Sequence, residues 1–407
     1  MKHTLKLFVA ALVLGWSSLA AAEDLVNVET VLSGLNNPTG VAVQPETGDL
    51  FIADSGNAKI VRYNVKEKKS EDVITGFTLD KYGKGPIYDI GPLGLTFVDK
   101  NTLVVCDGGK VDEEELVYVF EVPEAGKSIT VEAAKQKLGP LSKTDDAQAE
   151  GNYYAVVVTK DRLFTSANGD DTKGWVAIAD RKEGTFENFR RGIATKEATE
   201  VDAPVAMALS PKGRLVVGQS GEVNVPGDSL LTWYSQPDGK LLMKLKTGLN
   251  DLVGLAYGPT GAALGYEGTD PVEGQLIYGV DFSWVKPEDG GLFRLDDDGK
   301  KNDDPEKGVK VTRLATLDKP TALAFADDGT LYVTVFGTAK EGEEAKPGAL
   351  LKITKKEPGS SSEASPKPED KPESKPEDKP EDKPEAKPED KPEDKPEAKP
   401  EDKPEEK

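Results

Sequence analysis

The sequence predicts an all-β chain, a six-bladed β-propeller. Three observations carry that prediction. One strand–turn–strand phrase recurs six times between residues 23 and 358. Each copy continues into a third strand and, in five of the six, a weaker fourth. An unpaired strand at the start of this segment matches a missing strand at its end. A fixed internal period of this kind is the mark of a repeat architecture.

The first copy runs NPTGVAV from Asn37, turn QPETGD, then LFIAD from Leu50. The second is GPLGLTF from Gly91, turn VDKN, then LVVCD from Leu103. The third is NYYAVVV from Asn152, turn TKD, then RLFTSAN from Arg162. The fourth is APVAMAL from Ala203, turn SPKG, then RLVVGQ from Arg214. DLVGLAY from Asp251 opens the fifth, and QLIYGVDFS from Gln275 is preferred to GAALGYE from Gly261 as its second strand, for its stronger alternation. KPTALAF from Lys319, turn ADDG, and TLYVTV from Thr330 make the sixth. Alternating Val, Leu, Ile and aromatic residues bounded by Gly, Pro and Asp are strand signals.

Third strands follow as KIVRYNV, ELVYVFEV, WVAIAD, LLTWYS, GLFRLD and ALLKIT. Fourth strands are read at EDVITGF, SITVEAA from Ser128, FENFRRG, KLLMKLKTG and KVTRLATL. The sixth copy has none. The orphan NVETVLSG from Asn27 is therefore expected to lie beside ALLKIT from Ala349 and close the ring.

The ends read differently. Residues 1–22 carry Lys2, His3 and Lys6, then an apolar run to Trp16, then Ala20-Ala21-Ala22, the pattern of a signal peptide. A secreted or periplasmic location is the expectation. Residues 359–407 repeat K-P-E-x after a GSSSEASP joint. Proline every fourth residue and no large apolar side chain predict a disordered, low-complexity tail. The domain reading is signal peptide 1–22, propeller 23–358 and tail 359–407.

Composition excludes several chemistries. The chain has 407 residues, 52 Lys and Arg against 73 Asp and Glu, and a net charge of -21. Such an acidic chain is not expected to bind nucleic acid, and no second apolar run is long enough for membrane insertion. The one Cys, Cys106, excludes a disulfide framework and reads as a small buried hydrophobe. The one His, His3, lies in the leader, which leaves the propeller without a His triad or His-ligated metal.

The first copy, LNNPTGVAVQPETGDLFIADSGNAKIVRYNV from Leu35, resembles an NHL repeat. The middle segment is similar to the NHL-like and SMP-30/gluconolactonase-like six-bladed propellers. That resemblance implies a range of functions: binding platforms, metal-dependent lactonases, strictosidine-synthase-like proteins and quinone-dependent sugar dehydrogenases. It also implies that a lactonase metal would be held by acidic and Asn residues at inner-strand entries. Asn152 and Asp251 echo that pattern, while Asn36-Asn37-Pro38 stands where a Glu is expected. The quinone dehydrogenases rely on a His base that this propeller lacks.

Loop lengths place the site. First-to-second-strand turns are short, whereas second-to-third loops and blade-to-blade connections are long, and these two long sets share one face. Length variation on one rim of a rigid ring marks function. Asp54, Asp107, Asn168 and Gln219 are the rim-binding candidates, at or just beyond second-strand ends. Asn152, Asp251 and Asp281 are the candidates for a Ca²⁺ site, since Ca²⁺ takes 6–8 oxygens. The reading leans to a secreted non-catalytic propeller that binds a protein, glycan or small envelope ligand on its long-loop face. A Ca²⁺-dependent hydrolase of the lactonase kind is the alternative.

Overall fold

The computed structural model describes residues 23–83, 85–259, 263–265, 276–301, 304, 307–339 and 346–356. Residues 1–22, read as a leader, residues 357–407, which include the segment read as a tail, and most of GAALGYE lie outside the described residues. Six sheets are present, each built outward from an inner strand: Pro38–Val43, Pro92–Asp99, Val156–Val158, Pro204–Leu209, Leu252–Tyr257 and Pro320–Phe325. Successive strands of a sheet are antiparallel. The fifth blade takes Ile277–Asp281 as its second strand. The sixth sheet comprises Pro320–Phe325, Leu331–Val335, Gly348–Lys355 and, outermost, Val26–Leu35. Asn27 faces Thr354 and Ser33 faces Ala349 in that antiparallel ladder.

Alternation explains where the core sits. A strand presents its two faces in turn, and every face here meets a neighbouring blade. The buried apolar residues accordingly fall into six clusters, one at each seam. Phe51, Leu103 and Phe120 fill the seam between blades one and two. Leu50, Tyr332 and Leu350 fill the seam between six and one. Hydroxyls stitch inner-strand regions across seams: Thr39 Oγ1 donates to Pro92 O (3.0 Å), Ser166 Oγ to Val205 O (3.2 Å) and Thr321 Oγ1 to Pro38 O (2.6 Å). Glycine is needed where blades two and three meet, because a Cβ on Gly94 would stand 1.8 Å from Tyr154 O.

Three local expectations are corrected. SITVEAA is not the fourth strand of blade two. Ile129–Thr130 instead runs parallel to Ile74–Thr75 as a fifth strand of blade one. Gln136–Leu138 takes the vacated place beside Val117–Val119. The physical reason is burial: Leu138 joins the core between blades two and three, whereas Val131 packs into the core between one and two. The inner strand of blade three is also shorter than NYYAVVV suggests. Tyr153 and Tyr154 lie outside the ladder, with Tyr153 wholly buried. Finally, the connection from blade one to blade two folds into its own hairpin, Asp80–Tyr82 with Tyr88–Ile90. Among the described residues no helix is long and apolar enough to cross a membrane.

Candidate functional site

The second-strand ends shape the rim before they can touch a ligand. Asp54 Oδ1 accepts from the Asn36 amide (2.7 Å), and its Oδ2 accepts from Asn57 Nδ2 (2.7 Å). Asp107 accepts from Gly109 N (3.2 Å) and from the Tyr118 hydroxyl (3.4 Å). Gln219 donates to Thr199 Oγ1 (2.9 Å). Asp281 accepts from three amides, those of Asn250, Asp251 and Ser283, each at 2.9 Å. All four side chains are buried. Burial pushes the carboxyls of Asp54, Asp107 and Asp281 upward, and these hydrogen bonds partly offset it. Asx side chains at strand ends commonly close turns in this way.

Asp281 is the keystone of this set, since its removal orphans three amides at once. We expect Asp281→Ala to cost about 3–5 kcal/mol, from ~1–3 kcal/mol per unsatisfied buried group. Urea unfolding measures that loss. Asp281→Asn, which keeps one acceptor oxygen, should lose less.

Asn152, Asn168 and Asp251 have a different setting. All three line one cavity of about 130 Å³ on the long-loop face, at the mouth of the central channel. Asn152 sits at a left-handed turn (φ 46°), where its backbone amide donates to Glu115 Oε2. Asp251 Oδ2 accepts from Trp284 N (2.6 Å). Burial, opposed by that bond and reinforced by Asp281, lifts the Asp251 carboxyl to about 6. Among the described residues it is the only Asp, Glu, Lys or Arg in the lining.

Six aromatic rings stand in the wall, those of Tyr82, Tyr88, Tyr154, Phe282, Trp284 and Phe336, with aliphatic side chains and the hydroxyls of Thr39, Ser220 and Thr321 between them. None was singled out from the sequence as a site residue. The signal was present in the long loops GPIYDIG, DFSWV and FGT, whose large aromatic residues have no strand pattern to explain them. Glu115 and Glu150 were also missed. Both are wholly buried beside Gly151-Asn152, and burial raises Glu115 to about 9 and Glu150 to about 7. Arg191 Nε donates to Glu150 Oε1 (3.3 Å).

A second cavity, about 430 Å³, occupies the channel itself and is lined by the inner strands without a carboxylate or a basic group. It offers volume but no ionised chemistry, so the smaller cavity is the better site. Tyr154 separates the two. It lines both, and its hydroxyl crosses from blade three to blade six to donate to Thr321 O (3.2 Å).

The remaining motifs are structural. Cys106 is buried, lies 3.4 Å from Thr165 Oγ1, and has its thiol pushed to about 12 by burial, which removes it as a nucleophile at neutral pH. Arg190 pairs with Asp180. The acidic turn at Asp297-Asp298 receives Lys307 Nζ, at 2.9 and 3.4 Å.

No protein-family model matches the chain, and no curated protein matches it significantly. Solved structures do. The apo aldose sugar dehydrogenase of Escherichia coli aligns with TM-score 0.53 and 15% identity over 81% of this chain and 100% of its own. The PQQ-bound aldose sugar dehydrogenase of Streptomyces coelicolor gives 0.52 and 14% over 82% and 99%. A gluconolactonase of Xanthomonas campestris gives 0.50 and 11% over 82% and 91%. Identities this low establish the architecture, a six-bladed propeller of the kind these enzymes share, and nothing finer.

The groups such propellers can carry were compared with the residues present. Pyrroloquinoline quinone bears three carboxylates, whereas among the described residues this cavity has no Lys or Arg and already holds one carboxylate. It does not fit. A lactonase-type cation needs several carboxylate or amide oxygens. Among the described residues Asp251 is the one carboxylate of the lining and Asn152 and Asn168 are its amides, while Asn37 turns away to donate to Asp89 O (3.0 Å). Among the described residues no group of three or more His, Cys, Asp or Glu is placed to hold a metal ion. One carboxylate, with one oxygen already accepting from Trp284 N, and two amides fall short of the 6–8 oxygens that Ca²⁺ takes.

Proposed function

We propose that the protein acts on a small organic molecule bound at the channel mouth, and that the reaction is hydrolysis of an ester or lactone. The observation that carries this reading is one desolvated carboxyl, Asp251, that shares a largely aromatic and aliphatic cavity with two side-chain amides, Asn152 and Asn168. Asp251 accepts a proton from water as the water oxygen bonds to the carbonyl carbon. Asn152 and Asn168 supply N–H donors for the developing oxyanion. Collapse breaks the carbon–alkoxy bond, and Asp251 returns the proton to the leaving oxygen. The gluconolactonase among the structural neighbours is consistent with this class. A second reading, a non-catalytic binding platform, is favoured by the presence of only one charged group in the lining.

The test is a panel of small lactones and esters, sugar lactones included, followed by pH-stat, with calorimetry for binding. Hydrolysis above the buffer rate supports the first reading. Saturable binding without turnover selects the second. Neither binding nor turnover overturns both. EDTA should leave the rate unchanged.

A further inference from the structure

We propose that the rim cavity takes an organic cation, a small ammonium compound whose alkylated head lies against the aromatic wall. The inference rests on reading this cavity as the ligand site and goes on to name its chemistry. Among the described residues, six aromatic side chains and one carboxylate line this space and no Lys or Arg does. Ring faces attract cations through their quadrupole, and desolvation strengthens the effect. The charge balance of the whole chain, -21, draws cations rather than anions toward any mouth that lacks basic residues.

The wall is also preorganised. Tyr88 meets Trp284, Phe282 and Phe336 edge to face, at centroid distances of 5.5, 6.4 and 5.0 Å. Phe282 stacks on Trp284 at 4.8 Å, and Tyr82 meets Trp284 edge-on at 6.1 Å. These rings come from the hairpin between blades one and two and from blades five and six. Interlocked rings cost little entropy to order when a ligand arrives.

A polyol is the competing ligand class, and the polar inventory disfavours it. The Tyr154 hydroxyl is committed to Thr321 O, Thr39 Oγ1 to Pro92 O, Ser220 Oγ to Leu252 O and Thr321 Oγ1 to Pro38 O. That leaves Asn152, Asn168, the second oxygen of Asp251 and the buried, unpartnered Tyr88 hydroxyl for the ligand. Four such groups, set among six rings, meet only part of a sugar's hydroxyls, each of which loses water on entry. An ammonium head asks for none of them.

The experiment titrates the full-length protein by calorimetry at pH 8 with choline and with 3,3-dimethyl-1-butanol, the same shape with carbon in place of the charged nitrogen. Choline should bind more tightly by about tenfold, the ratio a desolvated ring–cation contact supports. Trp284→Leu should erase that ratio while Trp284→Phe keeps most of it. If Trp284→Leu melts early, Tyr82→Leu at the exposed mouth should reduce the same ratio. Equal affinities, or tighter binding of the neutral alcohol, overturn the cation and leave the ligand cavity standing. Hydrolysis of a neutral ester with no competition from choline also overturns it, as does failure of both probes to bind.

Discussion

Deleting residues 24–35 should abolish cooperative folding. The segment pairs with Gly348–Lys355 along a ladder from Val26–Lys355 to Leu35–Gly348. Its two ends are anchored in different cores. Val26 packs into the seam between blades five and six, and Leu35 into the seam between six and one. Leu25 N also donates to Leu314 O (2.8 Å), and Asp24 Oδ1 accepts from Thr316 N (3.1 Å). Burying Val26 and Leu35 contributes about 2 kcal/mol each. Each ladder hydrogen bond adds on the order of 1 kcal/mol. Their total is comparable with a whole protein's net stability of about 5–15 kcal/mol. The deletion would also expose the edge of Gly348–Lys355, an aggregation template. Thermal unfolding by circular dichroism reads the result, and a synthetic peptide spanning residues 24–37 should restore a transition. A truncated chain that melts sharply at the parent temperature would refute the clamp.

Asp251→Asn should give a protein that is inactive and more stable. The substitution keeps an oxygen to accept from Trp284 N, so the local fold survives. Activity should fall about 10²–10⁴-fold, the usual worth of a general base. The stability change follows from linkage. The folded carboxyl titrates at about 6, above its ordinary value of 3.8, because burial disfavours its charge. The folded state therefore holds the proton more tightly than the unfolded chain. The associated stability is complete below pH ~3.9 and is lost as pH rises through 6. At pH 8 the buried charge costs about 3 kcal/mol, which Asn does not carry. The nearest acidic groups, Asp281 and Asp228, act in the same direction. The parent rate should climb tenfold per pH unit up to about pH 6 and then level. Paired melting curves and pH–rate profiles test both halves. An Asn variant that retains activity would move the chemistry away from Asp251.

The two predictions differ in how far they could be reached from the sequence. The pairing of NVETVLSG with ALLKIT follows from counting strands, because a ring with one blade short of a strand and one strand without a blade has a single closure. The fourth strand of blade two could not be found in this way. SITVEAA and QKL are both short and half-apolar, and the choice between them depends on which seam core each side chain reaches. Asp54, Asp107, Gln219 and Asp281 were recognisable as rim residues by their place after the second strand. Their hydrogen bonds to local amides and hydroxyls could not be read there, since an Asp that closes a turn and one that meets a ligand have the same neighbours in sequence.

The blade number and the inner three strands of each blade were thus available from the amino-acid order alone. They depend on period-two alternation and turn length, which are local properties repeated six times. Assembly of the cavity was a matter for the tertiary structure. Tyr82 and Tyr88, Asn152 and Tyr154, Asp251, Phe282 and Trp284, and Phe336 come from five separate stretches of chain. No spacing rule relates them, because the ring brings them together by rotating successive blades about one axis. The raised carboxyl of Asp251 has the same origin: water is excluded there by residues distant in the sequence, and only the closed ring puts them in place.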